Sequence, residues 1–255
     1  MMEKKKAKGK GEGIKALILD LDDTLWDTTG QLVKKGQIAA LEEMAKHGLP
    51  IKKSDAAKTR DMLVKRYGQH VNITTKALEH FGMYKDKKNR KNAEKIRLIG
   101  HHRYHTVRIG KIRPFKDTVP TLKKLKKDGR ILVLLSYGVA RQQNSKIRKL
   151  GIRRYFDRIV LDTTIGRSNK PMHIKEIIRW LGKRGVRKDE ILLVGDRPNS
   201  EIEGGKRLGL KTARMIHAHG RYSRLKPQNR WQKADFRIRR ISNLYGVLDR
   251  LDNQR

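Results

Sequence analysis

Residues 17–27 read Leu-Ile-Leu-Asp-Leu-Asp-Asp-Thr-Leu-Trp-Asp, from Leu17 to Asp27. The run Ile14–Leu21 has the form of a short buried strand, apolar until it meets acidic and turn residues. Its far end delivers Asp20, Asp22, Asp23 and Asp27 within eight residues of a chain otherwise short of acids. Carboxylates that close repel one another unless something positive holds them. The carboxyl end of a strand is also where open α/β sheets place their ligands. An acidic surface turn would show the same letters, so the rest of the chain has to decide.

The rest of the chain supplies a matching framework. Residues 31–110 have almost no strand-like runs. Val33, Ala40, Leu41, Met44 and Ala45 share one helical face, stopped by Gly48 and Pro50, and further helices are expected near 54–67, 74–81 and 89–107. This block reads as a small helical insertion. From Ile112 helices and strands alternate: a helix through Val119, Leu122 and Leu125, strand Ile131–Leu135, a helix near 141–150, and strand Arg158–Asp162. Ile174, Ile177, Ile178 and Leu181 keep the spacing of a helix that buries one stripe. Strand Ile191–Val194, helix Ile202–Leu208, strand Thr212–Ile216, a short strand at 236–239 and a helix at 241–251 complete the series. Such alternation with short connections implies a parallel sheet covered on both faces.

Composition narrows the function. The 255 residues include 63 Lys+Arg and 26 Asp+Glu, a net charge of +37. Leu, Ile, Val and Phe make up about a quarter of the chain, above the roughly 20 % below which a highly charged chain stays disordered. The absence of cysteine excludes disulfides, thiolate nucleophiles and sulfur-based zinc sites. The Lys/Gly-rich residues 1–13 are expected to form a disordered basic tail. No apolar run is long enough for a membrane span and no cleavage site follows the basic start, which points to a cytoplasmic protein. The charge is net zero over residues 1–30 and then +12, +18 and +7 over 31–110, 111–220 and 221–255. An excess spread so evenly differs from the patch or stripe of a dedicated nucleic-acid footprint, and predicts only weak, non-specific binding to nucleic acid.

Three strand ends carry chemistry. The first offers the acidic cluster; Ile131–Leu135 ends at Ser136-Tyr137-Gly138, a hydroxyl followed by a glycine that lets backbone N–H groups approach a ligand; and Ile191–Val194 ends at Gly195-Asp196, with Glu201 five residues beyond Asp196. Asn169-Lys170-Pro171 opens the amphipathic helix between the last two.

In this order the segments LILDLDDTLWD (17–27), LLSYG (134–138), SNKP (168–171) and VGDRPNSEIEGGKRLGLKT (194–212) resemble the four motifs of the haloacid dehalogenase superfamily of aspartate-nucleophile phosphohydrolases. The resemblance covers about 14–28 and 112–250, and the helical block lies where many members insert a cap. It implies a doubly wound, Rossmann-like α/β core at 14–30 and 111–255 with an α-helical cap at 31–110. It implies Mg²⁺-dependent hydrolysis of a small phosphomonoester, with Asp20 as nucleophile forming an aspartyl-phosphate and Asp22 as general acid and base. Asp20, Asp196 and the backbone carbonyl of Asp22 would hold Mg²⁺. Ser136, with N–H groups near Tyr137 and Gly138, and Lys170 would bind the phosphoryl group. Thr24 would orient the acidic loop, and Glu201, standing where an Asp is commoner, would reach a metal-bound water or Lys170. Tyr137 stands where many relatives carry a small polar residue. With Asp22 and the Ser/Lys/Asp set both present, dehalogenation is disfavoured. Phosphomutase chemistry and a nucleic-acid-associated role, either end-processing or basic binding, stay open as alternatives.

Two further features are given plainer readings. His101, His102 and His105 place 101 and 105 on one helical face, but no carboxylate accompanies them, so they are read as solvated or packed. Trp26 is read as packing at the hinge of the insertion.

Overall fold

The computed structural model describes residues 13–107, 110–164 and 169–253. The expected basic tail, Gly13 apart, and Ser168 of the third motif lie outside them. The chain divides into two compact units. One runs to Trp26 and takes in Arg113–Ala218 and everything from Ser223; the other comprises Asp27–Ile112 with His219–Tyr222.

The first unit is built on six parallel strands: β1 Ala16–Leu19, β2 Ile131–Tyr137, β3 Arg158–Asp162, β4 Ile191–Gly195, β5 Lys211–Met215 and β6 Phe236–Ile238, in spatial order β3-β2-β1-β4-β5-β6. This is the doubly wound order in which strand succession reverses beside β1, leaving a crevice outside the carboxyl ends of β1 and β4. All four residues of β1 are buried, because the strand is covered on both faces. Ala16 and Ile18 join Val133, Leu135, Ile191 and Leu193 in one core. Ile174, Ile177 and Leu181 of the helix Lys170–Gly182 cover that core. The alternate residues Leu17, Leu19, Leu132, Leu134, Leu192 and Val194 are buried on the other face.

β1 is shorter than the expected run Ile14–Leu21. The ladder reaches as far as the Asp20 N–H, which donates to the Val194 carbonyl at 2.9 Å. The chain then turns through Asp23, whose φ of 56° lies in the left-handed region that Asp tolerates better than most side chains. The helix expected at Ile202–Leu208 is likewise preceded by a wider turn over Pro198–Ile202, kinked at Asn199.

The second unit packs four helices, α1 Lys34–Lys46, α2 Ala56–Tyr67, α3 Ile73–His80 and α4 Arg90–Thr106, around Leu41, Met44, Leu63, Ile73, Leu78 and Ile96. Close α1–α4 packing depends on Gly100, where a Cβ would stand 2.5 Å from Met44 Sδ. The remaining helices belong to the first unit: α5 Thr118–Lys127, α6 Ala140–Lys149, α7 Lys170–Gly182, the short α8 Glu203–Arg207 and α9 Leu244–Asn253.

Candidate active site

Several of the buried charged side chains gather at the carboxyl ends of β1 and β4. Asp20 follows β1, Asp196 follows β4, Ser136 lies near the end of β2 and Lys170 is the first residue of α7; all four are buried. Pro171 suits the first turn of α7 because its missing N–H is not needed there. The approach to Lys170 is tied by the Asn169 N–H, which donates to Asp162 Oδ2 at 2.7 Å; Asp162 is itself fully buried at the end of β3.

Lys170 Nζ lies 2.5 Å from Asp20 Oδ1 and also bonds Glu201 Oε1. Glu201 reaches it because Gly195 carries no side chain: a Cβ there would stand 2.8 Å from Glu201 Cβ. Thr24 Oγ1 donates to Asp20 Oδ2 at 3.3 Å, so Thr24 touches the nucleophile candidate directly. Arg214 Nε donates to the Asp196 carbonyl at 3.1 Å, fixing the backbone of that acid. The structure thus brings together Asp20, Thr24, Lys170 and Glu201, with Asp196 and Ser136 at the neighbouring strand ends.

The electrostatics are unbalanced. Burial pushes the Asp20 carboxyl up to about 7, with Lys170 opposing the shift and Glu201 and Asp22 adding to it. Asp196 is raised well above the ordinary carboxylate value, first by burial and then by Glu201, Asp20 and Asp23. Burial alone would lower the Lys170 ammonium, but Asp20 and Glu201 together raise it. Asp20, Asp23, Asp196 and Glu201 are buried there against Lys170 and Arg214, an excess of negative charge that leaves room for a further positive charge, and carboxylate oxygens suit a hard divalent cation. Ser136 Oγ is buried and, among the described residues, has no protein hydrogen-bond partner. Orphaned hydroxyls of that kind are uncommon in native interiors, and a phosphate oxygen would satisfy this one.

One expectation at the second motif changes. The Gly138 N–H, read as a phosphate donor, donates instead to the Asp162 carbonyl at 3.0 Å. β2 and β3 remain in register to Tyr137 and Asp162, so the ladder uses that donor. Gly138 contributes space: its φ is 139°, and a Cβ would stand 2.5 Å from Gln143 Nε2.

The Asp22 carboxylate accepts from a second set of side chains. Its Oδ1 accepts from Trp26 Nε1 at 3.0 Å and from Lys146 Nζ at 3.0 Å. Its Oδ2 accepts from Lys146 Nζ at 2.9 Å and Gln143 Nε2 at 3.3 Å. Trp26, read as packing, is indeed fully buried, yet it also donates to this carboxylate. Gln143 and Lys146 are the residues that sequence reasoning missed. Two long polar side chains three apart on a basic helix look like solvated surface; the available signal was that they fall beside Ile147 on the buried side of α6.

In the helical unit, His101 and His105 bring their Nε2 atoms to 3.2 Å. They line a cavity of about 220 Å³ with Gln37, Asn72, Tyr104 and Arg221. Burial, and His101 beside it, lower the His105 pKa. In the α/β unit His217 Nε2 lies 3.3 Å from Asp23 Oδ1.

The sequence pattern of the haloacid dehalogenase-like hydrolases matches residues 17–215. The chain belongs to that family. Within it, the chain is 30% identical over 240 residues to the glyceraldehyde 3-phosphate phosphatase of Methanopyrus kandleri, covering 93% of this chain and 98% of that one. It is 33% identical over 203 residues to the enzyme of the same name from Methanothermobacter thermautotrophicus, covering 77% and 83%. A haloacid dehalogenase-like family hydrolase from Xanthomonas campestris shares the fold with a TM-score of 0.56 at 16% identity, covering 97% of this chain and 96% of that one. No helix among the described residues is long and apolar enough to cross a membrane.

Proposed function

We propose that this protein is a Mg²⁺-dependent phosphomonoester hydrolase that works through a phosphorylated Asp20. The observation that carries the reading is the buried Asp20–Lys170–Glu201 group at the carboxyl ends of β1 and β4, beside the unpartnered hydroxyl of Ser136. In the first step an Asp20 carboxylate oxygen attacks phosphorus, the bond to the ester oxygen breaks, and the departing alkoxide takes a proton from Asp22. In the second step water attacks the same phosphorus and gives its proton to Asp22. The bond to Asp20 breaks, so inorganic phosphate leaves and both carboxyls return to their starting forms. Lys170 offsets charge on Asp20 and on the transferring group, and Ser136 donates to a phosphoryl oxygen.

Asp20, Asp196 and the Asp22 carbonyl would hold the Mg²⁺ that the excess of buried carboxylates calls for. When bound, the ion supplies the positive charge that lets an anionic nucleophile approach an anionic ester. The two archaeal relatives named as glyceraldehyde 3-phosphate phosphatases support a small phosphorylated sugar or related metabolite as substrate. The helical unit acts as the cap that selects it.

The test is phosphate release from a panel of small phosphomonoesters, glyceraldehyde 3-phosphate included, with Mg²⁺ and with chelator. Oligonucleotides bearing terminal phosphates belong in the same panel. Turnover of small esters that chelation silences and Mg²⁺ restores is the expected result. Preferential hydrolysis of oligonucleotide ends, or turnover indifferent to chelation, would overturn the reading.

A further inference from the structure

Asp22 is held by a set of side chains that the resemblance does not assign. Its carboxylate has two rotatable bonds and is 30% exposed, so without partners it would sample several headings. Instead both oxygens are engaged: Oδ1 accepts from Trp26 and Lys146, and Oδ2 accepts from Lys146 and Gln143. The donors are better fixed than the acceptor. Trp26 is fully buried, and Gln143 and Lys146 are buried one turn apart on α6. Gln143 Nε2 also donates to the Tyr137 carbonyl at 2.6 Å, and it occupies the space that a side chain at Gly138 would fill. The Lys146 ammonium stands 5.7 Å from the Trp26 ring centroid, a further attraction that keeps both against Asp22. Burying an ammonium is costly unless it is paired, and Asp22 is the carboxylate that pairs Lys146.

We infer that Lys146, assisted by Gln143, is a positioning residue that sets the heading of the Asp22 carboxylate for proton transfer to the ester oxygen. The inference rests on the role proposed for Asp22 above. It also explains why a hydroxyl-and-glycine strand end is followed by a helix whose buried side carries a glutamine and a lysine. The Ser136 strand end faces the phosphoryl group, while the next turn of chain orients the acid.

A double-substitution cycle on the full chain tests this, with steady-state turnover of glycerol phosphate and p-nitrophenyl phosphate in saturating Mg²⁺. Lys146→Met should lower kcat on glycerol phosphate about 10-fold with KM within about 2-fold, since proton donation acts in the transition state and not in substrate binding. The loss on p-nitrophenyl phosphate, whose leaving group needs little protonation, should be several-fold smaller. In an Asp22→Asn background the same substitution should change kcat by less than about 2-fold, because two residues acting through one function are not additive. Lys146→Arg should retain most activity, as its fork also reaches both oxygens of a carboxylate. If Lys146→Met does not fold, Gln143→Leu and Lys146→Arg run through the same cycle.

Equal losses on both esters, equal losses in both backgrounds, or a kcat that stays level or rises would overturn the inference. An Asp22→Asn protein with undiminished turnover would overturn it together with the acid role. An Asp20→Asn protein that still turns over would instead sink the proposed function itself.

Discussion

The carboxyl edge of the sheet and the helical unit carry the same kinds of charged side chain in opposite ways. In the helices, Glu43–Lys46, Glu79–Lys76 and Glu94–Arg97 pair three residues apart with partly or largely exposed side chains. Such pairs are screened by solvent and contribute little to stability. At the sheet edge, Asp20, Lys170 and Glu201 each have side chains only 5% exposed. Their desolvation is a cost that no surface pair bears. A fold under no other constraint would fill those positions with apolar side chains and gain stability. The contrast locates the chemistry: the sheet edge accepts a penalty that these helical pairs avoid.

The sharpest way to break the contrast is Asp20→Asn. It should abolish phosphomonoester turnover, a loss of about 10³-fold or more, while the circular dichroism spectrum stays that of the parent, because an amide is not a competent nucleophile. Asp196→Ala should come next, with turnover falling by about 10²-fold or more at ordinary Mg²⁺ and the residual rate no longer following a metal titration. Asp22→Asn should lose about 10²-fold on an alkyl ester and clearly less on an aryl ester with an acidic leaving group. That difference is read from the ratio of the two kcat values.

Stability should show the penalty directly. A carboxyl whose folded pKa lies near 7 instead of 3.8 binds its proton more tightly in the folded state. The metal-free protein should therefore lose stability relative to Asp20→Asn as pH rises from about 4 towards 7, and added Mg²⁺ should restore it. Asp196→Asn, by removing one of the crowded carboxylates, should raise the metal-free Tm at neutral pH by a few degrees, on the order of a 1 kcal/mol effect. A Tm difference between the metal-free parent and Asp20→Asn that stays level or moves in the parent's favour over the same pH range would contradict the charge imbalance. The smallest effect belongs to the helical unit. Replacing His101 and His105 together by Ala should leave the Mg²⁺ dependence of turnover unchanged, as seen in parallel metal titrations.

How much of this was legible in the sequence depends on distance along the chain. Strands announce themselves by unbroken apolar runs, so Ile191–Val194 and Arg158–Asp162 were placed within a residue of the observed β4 and β3. Strand-end residues follow from strand placement, which made Asp20, Ser136 and Asp196 readable, and Lys170 came with the start of a strongly amphipathic helix. Contacts that depend on how helices rotate onto the sheet were not readable. Lys146 and Asp22 are 124 positions apart, and nothing in a basic helix tells which of its lysines turns inward. The Gly138 N–H was misplaced for a related reason: whether β2 runs on past Leu135 and pairs with β3 up to Asp162 is a matter of register, set by the two strands together. The joining of His219–Tyr222 to the helical unit, which brings Arg221 to the cavity beside His101, was equally invisible.

The central claim is that Asp20 carries the phosphoryl group between two half-reactions. Its most direct measurement is acid quenching of the enzyme during turnover, followed by digestion and mass spectrometry of the peptide spanning residues 17–27. Asp22→Asn serves as the background in which breakdown of the intermediate is slowed. The account predicts that this peptide gains the mass of one phosphoryl group, on Asp20, and loses it on treatment with hydroxylamine as an acyl phosphate does. A peptide that stays unmodified while phosphate is released, or a phosphoryl group found on any other residue, would contradict it.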